Sequence, residues 1–267
     1  DDPVDISNLD TQRNESQPTI VVDPADPLKL VATYQIVEQN PNLCNVGVRG
    51  DEAITRCVAY SYSSDGGATW SSGGVLPIPR NPNTVTTTDP GRSFLGAVSP
   101  SVAFDRDHNF YVVYSVVTPV ANPTDNAILL QKFDFSGFAP FEDFSVDHTS
   151  CPTALYCGAG SAADDVARNP VIALDTNPDV FTDPETGVIF RDPYTEVGTP
   201  VYVAWDIVRQ TPPNVGGGFN NNGIQFTASA DGGVGFSAPF NVNDFAFGSF
   251  DSTAGFFGSD RNIFPKL

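Results

Sequence analysis

Three times along the chain a proline opens an apolar strand that closes on an aspartate: QPTIVVD at residues 17–23, SPSVAFD at 99–105 and NPVIALD at 169–175. A fourth copy opens at FPKL, residues 264–267. Repetition on this scale constrains the fold tightly, because each copy must become the same supersecondary unit and one such unit cannot bury its apolar faces alone. After each complete copy comes a second strand, LKLVATY, FYVVYS or VYVAWD, the last of them following an insertion at 176–199. A third strand succeeds it, RCVAYSYS, AILLQKFD or GIQFTASA, and then a tight turn into a fourth.

Four-stranded units in series predict an all-β fold, a β-propeller built of four-stranded antiparallel blades. Parallel β-helices repeat at shorter periods, and a sandwich does not restart the same pattern. The units run over 17–98, 99–168 and 169–263, with the fourth beginning at 264, inside a single region 1–267. About three blades fall short of the usual ring of roughly 4 to 8, so the expectation is part of a larger ring or assembly. DPVDISN near the N-terminus matches APFNVND at 238–244. The chain then begins on an outer strand and stops on an inner one, which predicts open strand edges and self-association through them.

Composition enters by what it excludes. Twenty-three Gly, 23 Pro and 20 Phe beside 13 Lys plus Arg suit turns and aromatic-bearing strands, not helices. A formal net charge of −19 repels phosphate backbones, which argues against a nucleic-acid partner and against an anionic membrane surface. No apolar run approaches the roughly 18 residues a membrane-spanning helix needs. The four Cys stand as two local pairs, Cys44 with Cys57 and Cys151 with Cys157, without CxxC spacing or a nearby His. Two disulfide-closed loops are expected, and with them a secreted, extracellular or cell-surface location. The sequence contains no Met, as expected of a processed chain whose signal segment is gone. Asn14-Glu15-Ser16 is a possible N-glycosylation site.

The turn between third and fourth strands is the most patterned stretch. SSDGGATW at 63–70 and SADGGVGF at 229–236 place Ser63 with Ser229, Asp65 with Asp231 and Gly67 with Gly233. The corresponding stretch of the second unit keeps Asp134 and little else. An Asp side chain can accept from following backbone N–H groups, Gly supplies a positive φ, and an aromatic packs beside the hairpin. These residues therefore read as a turn device. Ser63, Asp65, Gly67, Thr69 and Trp70 fit the pattern Ser-x-Asp-x-Gly-x-Thr-Trp, and Gly235 and Phe236 replace its last two positions in the second copy. In this the chain resembles the Asp-box, or BNR-repeat, sialidase-like β-propeller superfamily. The resemblance spans nearly the whole chain and implies the fold; it leaves function open, because in that superfamily the boxes sit on the face opposite the active site.

The resemblance points to the loops of the other face, 37–55, 118–126 and 208–222 together with 77–98, 147–168 and 244–262. An active sialidase needs an arginine cluster for the substrate carboxylate, a Tyr nucleophile with a Glu partner, and an Asp acid/base. The Phe/Tyr-Arg-Ile-Pro motif that usually supplies the first arginine is missing, and LPIPR at 76–80 has its letters in another order. Arg13, Arg92, Arg168 and Arg261 each precede a repeated proline, a placement that could bring some of them toward a central axis as an anion site. No cofactor is expected. The one calcium-like spacing is Asp105, Asp107 and Asn109, which lacks the Gly and distal Glu of a calcium loop. His108 and His148 have no Cys or His at ligand spacing. Catalytic residues are not assignable. The expected role is a non-catalytic module binding glycans or extracellular proteins, or a self-assembling extracellular structural subunit. The alternatives are a sialidase-like glycoside hydrolase with catalytic loops partly outside this segment, and a lectin.

Overall fold

The computed structural model describes residues 14–37, 44, 56–76, 78, 94–117, 126–135, 154–158, 165–176, 180–182, 189–191, 199–209 and 223–242. Every element among them is a β-strand. The first blade is β1 (Asn14–Val22), β2 (Leu30–Val37), β3 (Arg56–Ser63) and β4 (Ser71–Val75), each antiparallel to the one before. The second is β5 (Gly96–Phe104), β6 (Asn109–Val117), β7 (Asn126–Asp134) and β8 (Ala154–Gly158). The third begins with β9 (Asp165–Leu174). The 176–199 insertion then forms its own hairpin of β10 (Val180–Thr182) and β11 (Ile189–Arg191), and the blade resumes as β12 (Val201–Arg209), β13 (Gly223–Ser229) and β14 (Phe240–Asn241). The chain is thus an all-β propeller fold of four-stranded antiparallel blades. One parallel pairing, Arg56 with Gly96, joins the first two blades into a continuous sheet.

The second strand of each blade shows why the blades stack. Strand β6, NFYVVYSVV, is buried along nearly its whole length on both faces. Its alternate residues serve two different neighbours. Phe110, Val112, Tyr114 and Val116 enter the apolar cluster shared with the first blade, whereas Tyr111 and Val113 enter the cluster shared with the third. Aromatic rings fill the first junction: Phe110 stacks on Phe133 with centroids 4.8 Å apart, and Tyr60 reaches both rings at 5.6 and 5.2 Å. At about 2 kcal/mol for each fully buried large apolar side chain, these contacts outweigh the local strand preferences.

The repeated proline acts on register. It has no N–H for a ladder bond, so it belongs at a sheet edge or a bulge. The bulge holds in all three, since β1, β5 and β9 are the first strands of their blades and each carries an irregularity at its proline. The register slips between Ser16 and Thr19, between Val98 and Ser101, and in β9 between Arg168 and Val171. In each case two residues on the first strand oppose one on the second. The opposing residue is Tyr34, Tyr114 or Trp205, a buried aromatic every time.

Candidate functional site

The bulges place three polar side chains in a row. Gln17, Ser99 and Asn169, each immediately before its proline, have φ of 52, 55 and 50°. Such values are uncommon in residues other than glycine, and they aim side chains in directions an unbroken strand does not allow. The row is bonded from blade to blade: the Ser99 backbone N–H donates to Gln17 Oε1 at 2.9 Å, and the Ser99 hydroxyl donates to Asn169 Oδ1 at 2.9 Å. Neighbouring bonds tie the same strands, Ile172 N–H to Ser101 Oγ at 3.4 Å and Thr19 Oγ1 to the Pro100 carbonyl at 3.5 Å.

Beside Asn169 lies the ion pair of this region. Arg168 on β9 and Asp206 on β12 are register partners, and Arg168 Nε stands 3.4 Å from Asp206 Oδ2. The Asp206 side chain is 1 % exposed and the Arg168 side chain 42 %. Burial pushes the Asp206 carboxyl up to about 7, against the pull of the Arg168 charge and the nearby Asn169 side chain; neither carboxylate oxygen has a hydrogen-bond partner among the described residues. The corresponding pairs in the other blades, Ser16 with Gln35 and Val98 with Ser115, carry no charge. Among the described residues Arg168 is the basic group beside the bulge row, and it is shared with a protein carboxylate. Arg13, Arg92 and Arg261 lie outside the described residues.

The patterned turns follow the third strands, beyond Ser63 and Ser229, whereas the bulges lie mid-strand. Ser63 Oγ donates to Asp65 Oδ1 at 2.8 Å and accepts from Gly67 N–H at 2.9 Å. Asp65 accepts further from the Thr69 N–H and hydroxyl at 2.8 and 2.6 Å, and the Trp70 indole donates to the Gly67 carbonyl at 3.2 Å. Those donors hold the Asp65 carboxyl down at about 2, the Thr69 hydroxyl bond contributing most. The third blade repeats the arrangement: Ser229 to Asp231 at 2.6 Å, Gly233 to Ser229 at 2.9 Å and Gly235 to Asp231 at 2.9 Å. Gly66 and Gly67 have φ of 74 and 91°, Gly232 and Gly233 of 72 and 93°. Phe236 packs against the junction of the second and third blades. Each carboxylate is occupied by the turn it closes, and the turns are tied to the blades by backbone groups: Gly66 N–H donates to the Leu28 carbonyl at 2.9 Å, and the Tyr111 hydroxyl donates to the Gly232 carbonyl at 3.2 Å.

The aspartates that end the first strands hold the same face together. Asp23 accepts from Ala25 N–H and pairs with His108 of the next blade at 2.5 Å. Arg106 Nε donates to the Thr176 carbonyl at 2.8 Å, the corresponding link from second blade to third. Asp105, named above for its calcium-like spacing with Asp107 and Asn109, accepts from both of their backbone N–H groups at 2.9 Å and from the Asn109 side chain at 2.8 Å. Lys132 approaches it at 3.9 Å. Among the described residues no group of three or more His, Cys, Asp or Glu could hold a metal ion.

Cys44 and Cys57 form a disulfide at the loop end of β3, beside Ile36, the register partner of Cys57. Cys151 lies outside the described residues, as does the side chain of Cys157. Asn14 is exposed at the start of β1. The bulge row and the Asp206 pair escaped sequence reasoning, although a polar residue before each repeated proline and an aromatic in each second strand were both visible, as Gln17, Ser99 and Asn169 and as Tyr34, Tyr114 and Trp205.

No family model and no curated protein matches the chain. Solved structures similar to it include an α-L-arabinofuranosidase of Fusarium graminearum in complex with an iminosugar inhibitor, 10 % identical over 84 % of this chain and 49 % of that one, with a TM-score of 0.40. An inulosucrase from Halalkalicoccus jeotgali bound to kestose is 15 % identical over 86 % of this chain and 53 % of its own, also with a TM-score of 0.40. A protein of unknown function from Dyadobacter fermentans has a TM-score of 0.33 at 11 % identity, over 87 % of this chain and 70 % of its own. The chain spans about half the length of the first two.

Proposed function

We propose that the protein is a non-catalytic ligand-binding propeller module of the extracellular space or cell surface, and that it takes a glycan at the bulge row. The observation that carries this reading is the blade-to-blade row of Gln17, Ser99 and Asn169, held at positive φ beside Arg168. Backbone strain persists only where the surroundings over-determine it, and it concentrates at ligand clamps. Amide and hydroxyl groups offered in line, with one guanidinium alongside, suit the alternating donors and acceptors of a saccharide and one anionic substituent. The patterned turns spend their carboxylates on their own backbone and hydroxyl groups and serve as scaffold. The Cys44–Cys57 bridge supports an oxidising compartment, since such bonds are rare in the cytosol.

The test is a glycan array followed by titration of the best binder against Gln17→Ala and Arg168→Gln. The reading requires both variants to lose affinity while remaining folded. Full affinity in both would overturn it.

A sialidase-like glycoside hydrolase is the catalytic alternative, and one observation favours it: a carboxyl that titrates near neutrality beside an arginine is a candidate general acid. Against it, Asp206 is buried in the sheet and spends its charge on Arg168. Release of a fluorogenic leaving group from a sialoside, abolished in Asp206→Asn, would establish the catalytic reading.

A further inference from the structure

We infer that Asp231, and not Asp65, is a site of spontaneous backbone modification, in which the Gly232 nitrogen attacks the Asp231 carboxyl and the residue becomes isoaspartate. Both patterned turns carry an Asp followed by Gly. That pairing hinders the rearrangement least, because a glycine nitrogen has no side chain crowding it. The backbone is nearly the same in the two copies, with φ of 74° at Gly66 and 72° at Gly232. What differs is how firmly the two reacting groups are held.

In the first turn both groups are tied. Gly66 N–H donates to the Leu28 carbonyl at 2.9 Å, which engages the attacking nitrogen. Asp65 Oδ1 accepts from the Ser63 hydroxyl and the Thr69 N–H, and its Oδ2 from the Thr69 hydroxyl. Swinging this carboxyl toward Gly66 breaks all three bonds. In the third turn Asp231 Oδ1 accepts from the Ser229 hydroxyl and the Gly235 N–H. Gly235 has no hydroxyl to offer, and Asp231 Oδ2 has no donor among the described residues. Gly232 N–H likewise has no acceptor among them, since the Tyr111 hydroxyl holds only the Gly232 carbonyl. Exposure runs the other way: Asp65 is exposed and Asp231 half-buried. Solvent access would therefore choose the first turn, and bonding chooses the third.

The step balances without a co-reactant. The Gly232 nitrogen forms a bond to Asp231 Cγ, and the carboxyl hydroxyl leaves as water with the proton of that N–H. Water then opens the five-membered imide. Opening at the former backbone carbonyl leaves the chain running through Cβ and Cγ, one methylene longer, with a carboxylate on Cα and no net change in mass. The acid form reacts, since it can release water. The donors to Asp65, the Thr69 hydroxyl first, hold its carboxyl at about 2 and keep that form scarce; Asp231 is lowered too, by the Ser229 hydroxyl first. Once the backbone has shifted, Ser229 and Gly235 lose their acceptor. The same turn carries Phe236 into the junction of the second and third blades, so the change loosens that junction and leaves the first turn intact.

The experiment is incubation of the whole chain for weeks at body temperature and mildly acidic pH, followed by labelling with an isoaspartyl methyltransferase and a radioactive methyl donor. The label is mapped by peptide, so that Asn222, which also precedes a Gly, is read separately. The inference expects label at Asp231 about tenfold above that at Asp65, the factor that a lost hydrogen bond to a charged group supplies. A Cβ at Gly235 would lie 3.2 Å from Asp231 Oδ2, so Gly235→Thr sets a hydroxyl within reach and should lower the Asp231 label about tenfold. Thr69→Ala, at an exposed position, should raise the Asp65 label. Circular dichroism before incubation confirms that each variant is folded. Label at Asp65 equal to or above that at Asp231 overturns the inference. So does an Asp65 label that stays the same in folded Thr69→Ala, since the bonds would then not be what protects the first turn.

Discussion

The Ser99 hydroxyl donates to Asn169 Oδ1 across the gap between the first strands of two blades, from one residue at φ 55° to another at φ 50°. Both ends of this bond sit in backbone that a β-branched residue tolerates poorly. Asn169→Gly should therefore change stability by under about 1 kcal/mol, as lost hydrogen bonding is offset by relief of strain. Asn169→Val should cost about 2 kcal/mol or more, for it combines a bulky positive-φ residue with a stranded hydroxyl. Urea unfolding of the two variants decides the matter, and equal costs would refute the account of the bulge.

Asp65 closes its turn as a carboxylate, with its carboxyl held at about 2 against an ordinary value near 3.8. A lowered folded-state value means stabilisation that is present above the ordinary value and lost as pH falls through it toward 2. Asp65→Asn should lower the melting temperature at pH 7. The difference from wild type should shrink below about pH 4 and be nearly gone at pH 2. Glycan affinity should be unchanged, because the Asp65 carboxylate bonds only within its own turn and makes no contact with the bulge row.

Asp206 carries the opposite sign. Its carboxyl is raised from 3.8 to about 7 by burial, so the protonated form suits the fold and the stabilisation is lost as pH rises through that window. Asp206→Asn should make the protein more stable than wild type at pH 8 and nearly equal at pH 4, with a gap on the order of 1–3 kcal/mol. Thermal melts at the two pH values measure it. A variant less stable at pH 8 would mean that the Arg168 pairing outweighs the burial.

Gly73 in β4 lies under the ring of Tyr60, where a Cβ would come within 1.9 Å of the ring edge. Tyr60 cannot swing away freely, since it is packed against the stacked pair of Phe110 and Phe133. Gly73→Ala should cost about 1–3 kcal/mol by overpacking, and Phe110→Ala about 3–5 kcal/mol by leaving a cavity. Chemical denaturation of each variant checks the order.

Cys44 and Cys57 close a loop with a sequence separation of 13. Reduction should cost about 3 kcal/mol, most of it through the freed unfolded chain. Neither sulfur should react with a thiol reagent in the native protein. A reactive thiol at either position before reduction would remove the support for an oxidising compartment.

Much of the fold was legible in the sequence because its repeated strands are buried on both faces, and such strands spell themselves as short apolar runs. RCVAYSYS coincides with β3, and GIQFTAS with β13. The 176–199 insertion read as loop, since the strands inside it, Val180–Thr182 and Ile189–Arg191, are three residues each and too short to show a period. The bulge row was harder. A proline announces a missing donor, but the positive φ before it depends on the aromatic across the ladder and on the neighbouring blade, and both are tertiary. Asp206 was hidden for a related reason: one Asp among 32 acidic residues becomes distinctive only when Arg168 is known to face it in register.

Strand β6 gives its odd residues to one neighbour and its even residues to the other. An insertion or deletion of one residue inside it would swap the two sets and spoil both junctions together. Lengthening a connection such as 176–199, by contrast, disturbs neither. Over evolutionary time the chain is then free to vary at its connections, or to gain and lose whole blades, while the interior of each blade stays fixed in length. Its lineage should be readable as a count of complete modules separated by connections of any size.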